Sequence, residues 1–324
     1  MANKVMREHM NERFGKVFNL CDNPPLPKSL NIELNNTCNH KCIFCPYHGG
    51  NAFKVPTPGV LDIGFVKRIL KQAHDIGVGE KEVGFYLAGE PLLYKGLIEV
   101  VSYAKELGFK YTFITTNGAL ANEKSIRELV DAGLDSIRFS INGGNREDYL
   151  AIHQSDDFDT VISNIKFLDS YRRNHNINIA LSTSSVITKM TKNIKQELTS
   201  VISEYVDDMI FIPVILGRIN NKDDLKEKLE ITNDNGEINK DFICPMLFDT
   251  MYINALGKVV PCCDAYDQDL EFYDLYKDEN LSNAWNNEMY KKYRNIFIGK
   301  ESDKGTICES CILRRKGADR LNNG

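Results

Sequence analysis

Six short runs rich in apolar and β-branched residues alternate with five helical patterns across residues 30–215. The runs lie at 30–35, 82–88, 110–116, 135–141, 177–187 and 208–215. Their length suits strands. Between them, apolar residues recur at helical spacing: Phe65, Ile69, Ala73 and Ile76; Leu97, Val101, Ala104 and Leu107; Ile126, Leu129 and Val130; Val161, Ile165 and Leu168; Ile194, Leu198, Val201 and Tyr205. Gly77, Gly108 and Gly133 follow the first three, where a helix is expected to end. Strands that alternate with helices imply a parallel sheet, either an open doubly wound sheet or a partial barrel. In both, ligands sit at the carboxyl ends of the strands.

The bulk composition narrows the function. A chain of 324 residues with 42% hydrophobic and 26% charged residues is that of an ordinary globular protein. A net charge of −5 provides no basic field, so no nucleic-acid partner is expected. The N-terminus has no apolar signal segment, and no run approaches the roughly 20 apolar residues of a membrane helix. A cytoplasmic location and no membrane partner are expected.

Nine cysteines are many for a reducing compartment, where they serve as metal ligands or catalytic groups more often than as disulfides. Three cluster after the first strand in Cys38-Asn39-His40-Lys41-Cys42-Ile43-Phe44-Cys45, a C-x3-C-x2-C spacing. One loop can wrap one metal centre with three thiolates. A four-iron cubane held by three cysteines keeps one iron open for a small molecule. A structural zinc needs four ligands, normally from two separated pairs, and is the alternative. Five more cysteines lie at 244, 262, 263, 308 and 311, including the chelating pair Cys308-Glu309-Ser310-Cys311. Four thiolates at Cys244, Cys262, Cys308 and Cys311 would close a site, as a structural or electron-transfer cluster does, or as a zinc knuckle does. His9, His40, His48, His74, His153 and His175 show no metal spacing.

The triplet after the first strand, with an aromatic before its last cysteine, resembles the radical S-adenosylmethionine (SAM) superfamily. The resemblance covers roughly residues 29–324. It implies a partial (β/α)6 barrel, SAM as cofactor and a [4Fe–4S] cluster on Cys38, Cys42 and Cys45. It also implies reductive cleavage of SAM to a 5′-deoxyadenosyl radical that takes hydrogen from a substrate. Ala88-Gly89-Glu90-Pro91 is similar to the family's Gly-Gly-Glu-Pro motif, which places Gly89 and Glu90 at SAM; Glu90 also suits a helix N-terminus. Asn117, after the third strand, and Ser140, after the fourth, take positions that line the SAM site in the family. Asn117-Gly118 and Asn142-Gly143 equally suit turns. Phe44 would pack near the adenine, and Val214-Ile215-Leu216-Gly217 would pass beneath it.

The segment Gly257 to Cys263 and the later helix around Trp285 resemble SPASM/twitch auxiliary-cluster modules. That likeness gives a second [4Fe–4S] cluster on Cys244, Cys262, Cys308 and Cys311. The spacings are nearest to those of 2-deoxy-scyllo-inosamine dehydrogenases. Residues 1–28 are read as a helical extension, 29–216 as the barrel, 217–240 as a linker and 241–324 as the auxiliary domain, with a hairpin at 249–262 and a helix at 281–298. The implied activity is oxidation of a sugar or aminocyclitol alcohol to a ketone. The alternative is a peptide maturase or a sugar or peptide epimerase. With 37 residues before Cys38, no independent leader-recognition domain is expected there. A small-molecule substrate and a reductase or flavodoxin-type electron donor are the expected partners. Cys263 could return hydrogen to a substrate radical or pack as a small hydrophobe. Arg218 and Lys54 are candidate substrate contacts.

Overall fold

A computed structural model describes residues 20–49, 57–214, 222–229, 238–239, 241–265, 270–309 and 311–314. The expected N-terminal helix, Lys54, Arg218 and residues 215–217 lie outside them.

The first strand, β1 (Ser29–Ile32), leads into α1 (Ile63–Ile76). Then follow β2 (Glu82–Gly84), α2 (Leu97–Leu107), β3 (Thr112–Thr116), α3 (Glu123–Asp131) and β4 (Ser136–Ser140). Two helices, α4 (Arg146–His153) and α5 (Phe158–Asn174), precede β5 (Ala180–Ile187), and α6 (Ile194–Ile202) precedes β6 (Asp208–Pro213). These six strands are all parallel and ordered 1 to 6 across the sheet. β1 does not pair with β6, so the barrel is open, the partial (β/α)6 barrel that the sequence implied.

The local reasons are those of the sequence. Asp62, Asn122 and Asn145 accept from the backbone N–H of Phe65, Ser125 and Asp148, satisfying first-turn donors of α1, α3 and α4. Gly77 ends α1 at φ 79°, a left-handed conformation that glycine takes without strain. Leu30, Ile32 and Leu34 join the helices in the main apolar core, as do Val83, Phe85, Ile137 and Phe139. Side chains alternate along a strand, so Ser29, Asn31, Glu33, Arg138 and Ser140 face the barrel interior.

The C-terminal part extends the same sheet. Helix α8 (Pro245–Asp249) feeds β7 (Thr250–Ile253), which pairs parallel to β1. β8 (Lys258–Val260) returns antiparallel around Gly257, and β9 (Tyr273–Asp274) completes nine strands in the order β6-β5-β4-β3-β2-β1-β7-β8-β9.

Three details differ from the sequence reading. The segment 146–153 is helical, because Asn145 caps it. The expected single helix at 281–298 is two, α9 (Leu281–Trp285) and α10 (Glu288–Phe297), because Asn287 caps the second by accepting from Tyr290 N–H. The polar stretch read as a linker carries α7 (Lys222–Leu229), whose Leu225 and Leu229 pack with Ile152 and Val214. Among the described residues no helix is long and apolar enough to cross a membrane.

Candidate functional site

The triplet loop leaves the end of β1 and folds on itself. Cys45 N–H donates to Cys42 O at 2.9 Å, and Gly49 N–H donates to Cys45 O at 3.3 Å. A Cβ at Gly49 would lie 2.4 Å from Cys42 O, so only glycine fits there. The sulfurs receive donors from several directions. His40 N–H points at Cys38 Sγ and His48 N–H at Cys45 Sγ, each at 3.4 Å. Asn117 Nδ2 approaches Cys38 Sγ at 3.8 Å, and His153 Nδ1 lies 3.5 Å from Cys42 Sγ. Burial pushes the Cys38 thiol up to about 11, and Cys42 rises further, with the neighbouring cysteines adding to both. Bare thiolates would be unstable here, while a bound cation offsets their mutual repulsion.

The donor set fits a cluster better than a single ion. Zinc at about 2.3 Å from each sulfur would draw its thiolates to roughly 4 Å of one another. Among the described residues the one set of three metal-type donor atoms within 4.8 Å is His40, Cys42 and His153, not the three cysteines together. The cysteine sulfurs are therefore spread more widely than one ion requires.

The strand ends close around this loop. Ala88 and Gly89 follow β2, and their N–H groups donate to Glu33 Oε1 at 2.8 and 3.3 Å. A Cβ on Gly89 would meet Asn35 O at 2.2 Å, so the backbone approach needs glycine. Glu90 is buried. Its carboxylate accepts from Thr116 Oγ1 at 2.7 Å, Asn117 N–H at 2.8 Å and Leu92 N–H at 3.1 Å. The Glu90 side chain therefore ties the end of β3 to the short turn Pro91–Leu93, which it caps. Asn117 is a turn residue and also a neighbour of the triplet: its Oδ1 accepts from Ala119 N–H at 3.0 Å while its Nδ2 reaches Asn39 and Cys38.

Ser140 is half-buried at the end of β4, in register with Ser184. Phe44 packs with Ile43 against the apolar cluster of Ile152, Val214, Leu225 and Leu229. His48 was singled out by no spacing. Its ring hydrogen-bonds the Ala88 backbone, and its Nε2 is buried without a hydrogen-bond partner. Such an atom beside Gly89 is suited to meeting a ligand.

Glu33 joins this site to the C-terminal part. Its other oxygen, Oε2, accepts from Ala255 N–H at 2.9 Å, just past β7. Burial raises its carboxyl from 4.5 to about 7. Tyr47, on the triplet loop, is pushed up by burial and by the charges of Glu33, Cys263, Asp264 and Cys262. Tyr47, two positions past Cys45, thus feels charges from the Cys262–Asp264 segment.

The second group is assembled from three segments. Cys244 precedes α8, Cys262 follows β8, and Cys308 and Cys311 lie on the last described loop. Burial raises all four thiols, Cys308 to about 12. Cys244 is raised further by Cys311 and Cys308, and Cys262 by Cys263, Asp264 and Cys244. Arg314 anchors the loop: its Nη1 donates to Cys308 O at 2.9 Å and to Asp303 at 2.6 Å. Cys262 packs against the main core, whereas Cys263 is exposed. Cys21 lies apart, near Arg294. Arg294 is fully buried between Trp285, 4.2 Å away, and Tyr290, and donates to Leu247 O and Asp22 O.

The chain matches the Radical SAM superfamily over residues 32–202, more than half its length, and an iron–sulfur cluster-binding domain, SPASM, over residues 244–312. It is 32% identical over 137 residues to a probable GTP 3′,8-cyclase of Methanothermobacter thermautotrophicus, covering 42% of each chain. It spans under half the length of the curated relatives it matches. Its fold is similar to that of SuiB of Streptococcus suis bound to the precursor peptide SuiA, at TM-score 0.65 and 18% identity, covering 84% of this chain and 68% of that one. It is also similar to BtrN in complex with AdoMet and 2-DOIA, at TM-score 0.51 and 18% identity, covering 85% of this chain and 88% of that one. At these identities the likeness is one of fold.

Proposed function

The chain belongs to the radical SAM superfamily, and on that premise we propose that it oxidises a small polar alcohol, of the sugar or aminocyclitol class, to a ketone. Its two domains imply SAM and two [4Fe–4S] clusters. We assign the first cluster to Cys38, Cys42 and Cys45, and the auxiliary cluster to Cys244, Cys262, Cys308 and Cys311. When bound, the first cluster and SAM supply a hydrogen-abstracting 5′-deoxyadenosyl radical, and the auxiliary cluster supplies a one-electron acceptor. The substrate carbinol then loses a hydrogen atom, an electron and a proton.

The observation that carries this reading is the second cysteine group, whose four thiols are buried or half-buried and suffice to close a cluster. A fully ligated cluster has no open iron for a substrate, which suits electron transfer. The chain's own residues hold and orient. Gly89 brings its backbone against Asn35 and Asn36, just before the triplet, Glu90 fixes Thr116 and Asn117, and Ser140 and Phe44 line the approach. His48 Nε2 offers a buried lone pair to cofactor or substrate. The polar interior formed by Asn31, Glu33, Arg138 and Ser140 suits a small hydroxylated molecule. A reductase or flavodoxin-type protein is the proposed electron donor.

Iron and sulfide analysis with an anaerobic assay tests the reading. Reconstituted protein should hold about eight irons per chain. Incubation with candidate polyols should yield 5′-deoxyadenosine and ketone in equal amounts. A Cys308→Ala/Cys311→Ala variant should keep its first cluster and its SAM cleavage but form no ketone. Full oxidation by that variant would sink the electron-acceptor role. GTP belongs in the substrate panel, because curated relatives carry the name GTP 3′,8-cyclase.

The exposure of Cys263 beside the auxiliary group favours a second reading, epimerisation, in which its S–H returns a hydrogen atom to the substrate radical and the thiyl is then re-reduced. Unchanged turnover in Cys263→Ala removes it.

A further inference from the structure

Segments far apart in sequence converge behind the sulfur of Cys42. His153 ends α4, His40 lies inside the triplet loop, Asn142 follows β4 and Asp157 precedes α5. His40 and His153 are both 1% exposed. Their Nδ1 atoms lie 3.2 Å apart, and His153 Nδ1 lies 3.5 Å from Cys42 Sγ.

The hydrogen bonds fix where the protons sit. Asn142 N–H donates to His153 Nε2 at 3.0 Å. Asn142 Oδ1 accepts from Val186 N–H at 2.8 Å, so the other side-chain atom is the amide nitrogen, and it too points at His153 Nε2, at 3.2 Å. Two donors aimed at Nε2 leave it no proton. With Nε2 unprotonated, the ring proton of His153 is on Nδ1. His40 Nε2 faces the Asp157 carboxylate at 3.0 Å and donates to it, so His40 Nδ1 is an acceptor. His153 Nδ1–H thus has two acceptors before it, His40 Nδ1 and Cys42 Sγ. Tyr149 stacks on the His153 ring at 4.0 Å and 10°, holding its plane.

We propose that His153 is a positioning residue for the first cluster, whose Nδ1–H donates to Cys42 Sγ and makes that cluster easier to reduce. The inference rests on the reading that Cys42 is a cluster ligand. A hydrogen bond to a ligand sulfur stabilises the more negative, reduced state over the oxidised one. The His153 ring is buried, so its N–H is shared between Cys42 Sγ and His40 Nδ1 rather than given to bulk water. The same three atoms lie within 4.8 Å of one another, the span of a single-ion site. The proton on Nδ1 opposes that use: a metal at Nδ1 would require the proton on Nε2, against both Asn142 donors.

The test compares the reconstituted holoprotein with two variants, by iron content, redox titration and electron paramagnetic resonance (EPR) of the reduced cluster. His153→Phe keeps a stacking ring and removes the N–H. His153→Asn restores an N–H near the position of Nδ1. With iron content unchanged, His153→Phe should lower the reduced-to-oxidised ratio of the first cluster at a fixed poise about tenfold, which is 59 mV for a one-electron couple. His153→Asn should recover most of that loss. In the wild type, pulsed EPR of protein carrying ring-15N histidine should show a nitrogen coupling to the reduced cluster, which His153→Asn abolishes. That measurement does not depend on how well the Phe variant folds. An unchanged potential in His153→Phe, or no ring-nitrogen coupling in the wild type, overturns the inference. Zinc bound one per chain and lost in His153→Phe also overturns it, in favour of a single-ion site. Cys42→Ala separates the layers: if it retains all its iron, the cluster assignment itself is wrong; if it loses about four irons while His153→Phe keeps its potential, only the role of His153 falls.

Discussion

The loop that carries Cys38, Cys42 and Cys45 and the site that gathers Cys244, Cys262, Cys308 and Cys311 are assembled by opposite means. The first takes all its thiols from eight consecutive residues at the end of one strand. Its three cysteines are partly exposed, and donors from His40, His48, Asn117 and His153 surround their sulfurs. The second draws thiols from segments up to 67 positions apart (244 to 311) and buries two of the four. A local loop can leave one side open to ligands. A site gathered from distant segments is closed by the packing that gathers it. The contrast suits the proposed roles, a cofactor-binding cluster at the first site and an electron acceptor at the second.

Removing single thiols tests that contrast most strongly. Cys38→Ala should lose about four irons and more than a thousandfold of SAM cleavage, while Cys311→Ala keeps SAM cleavage within about tenfold and loses the oxidised product. Equal loss of cleavage in both variants would break the division of labour.

Gly49→Ala should act on the first site alone. Its Cβ at 2.4 Å from Cys42 O forces the loop open, so iron content should fall to about half while the auxiliary cluster remains. Loss from both sites would mean that the loop supports the C-terminal part as well.

Glu90→Ala leaves Thr116 Oγ1, Asn117 N–H and Leu92 N–H without their acceptor. Unfolding measurements should show about 4 kcal/mol of lost stability, with weakened SAM binding. An effect on SAM binding with no loss of stability would instead mean that the carboxylate touches the cofactor.

Glu33 ties the loop after β2 to the hairpin that leads to Cys262, and its titration sharpens the comparison. Burial raises its carboxyl from 4.5 to about 7 in the folded protein. Between these values the folded state holds a proton that the unfolded state has released, so the Glu33 contribution to stability falls as pH rises from 4.5 to 7 and is level outside that window. Relative to Glu33→Gln, which does not titrate, the wild type should lose about 3 kcal/mol across this range, read as a pH-dependent difference in unfolding free energy. A difference that is flat with pH would place water at Glu33 and separate the two regions.

Much of this was legible in the chain, for reasons that differ by residue. The strands and first helices follow from side-chain period and capping, which are local. The triplet is legible because its ligands are adjacent. Helix α4 escaped the reading because its apolar face is short and only the cap of Asn145 marks it. Residues 281–298 read as one helix because Trp285, Met289, Tyr293 and Ile296 keep helical spacing across the break that Asn287 caps. His153 could not be read at all, because 113 positions separate it from His40 and no spacing links them.

The sequence by itself determined the alternating strands and helices, the position of the triplet at a strand end and the number of thiols for a second site. Those depend on neighbours within a few residues, where covalent geometry sets what can touch. The tertiary structure decided that β7 adds to β1 and continues one sheet, that Glu90 braces β3, that Glu33 ties Ala88 to Ala255, and that Asn142 sets which nitrogen of His153 carries its proton. Each of these joins distant residues. Burial and hydrogen-bond satisfaction choose such partners only once the whole chain has packed.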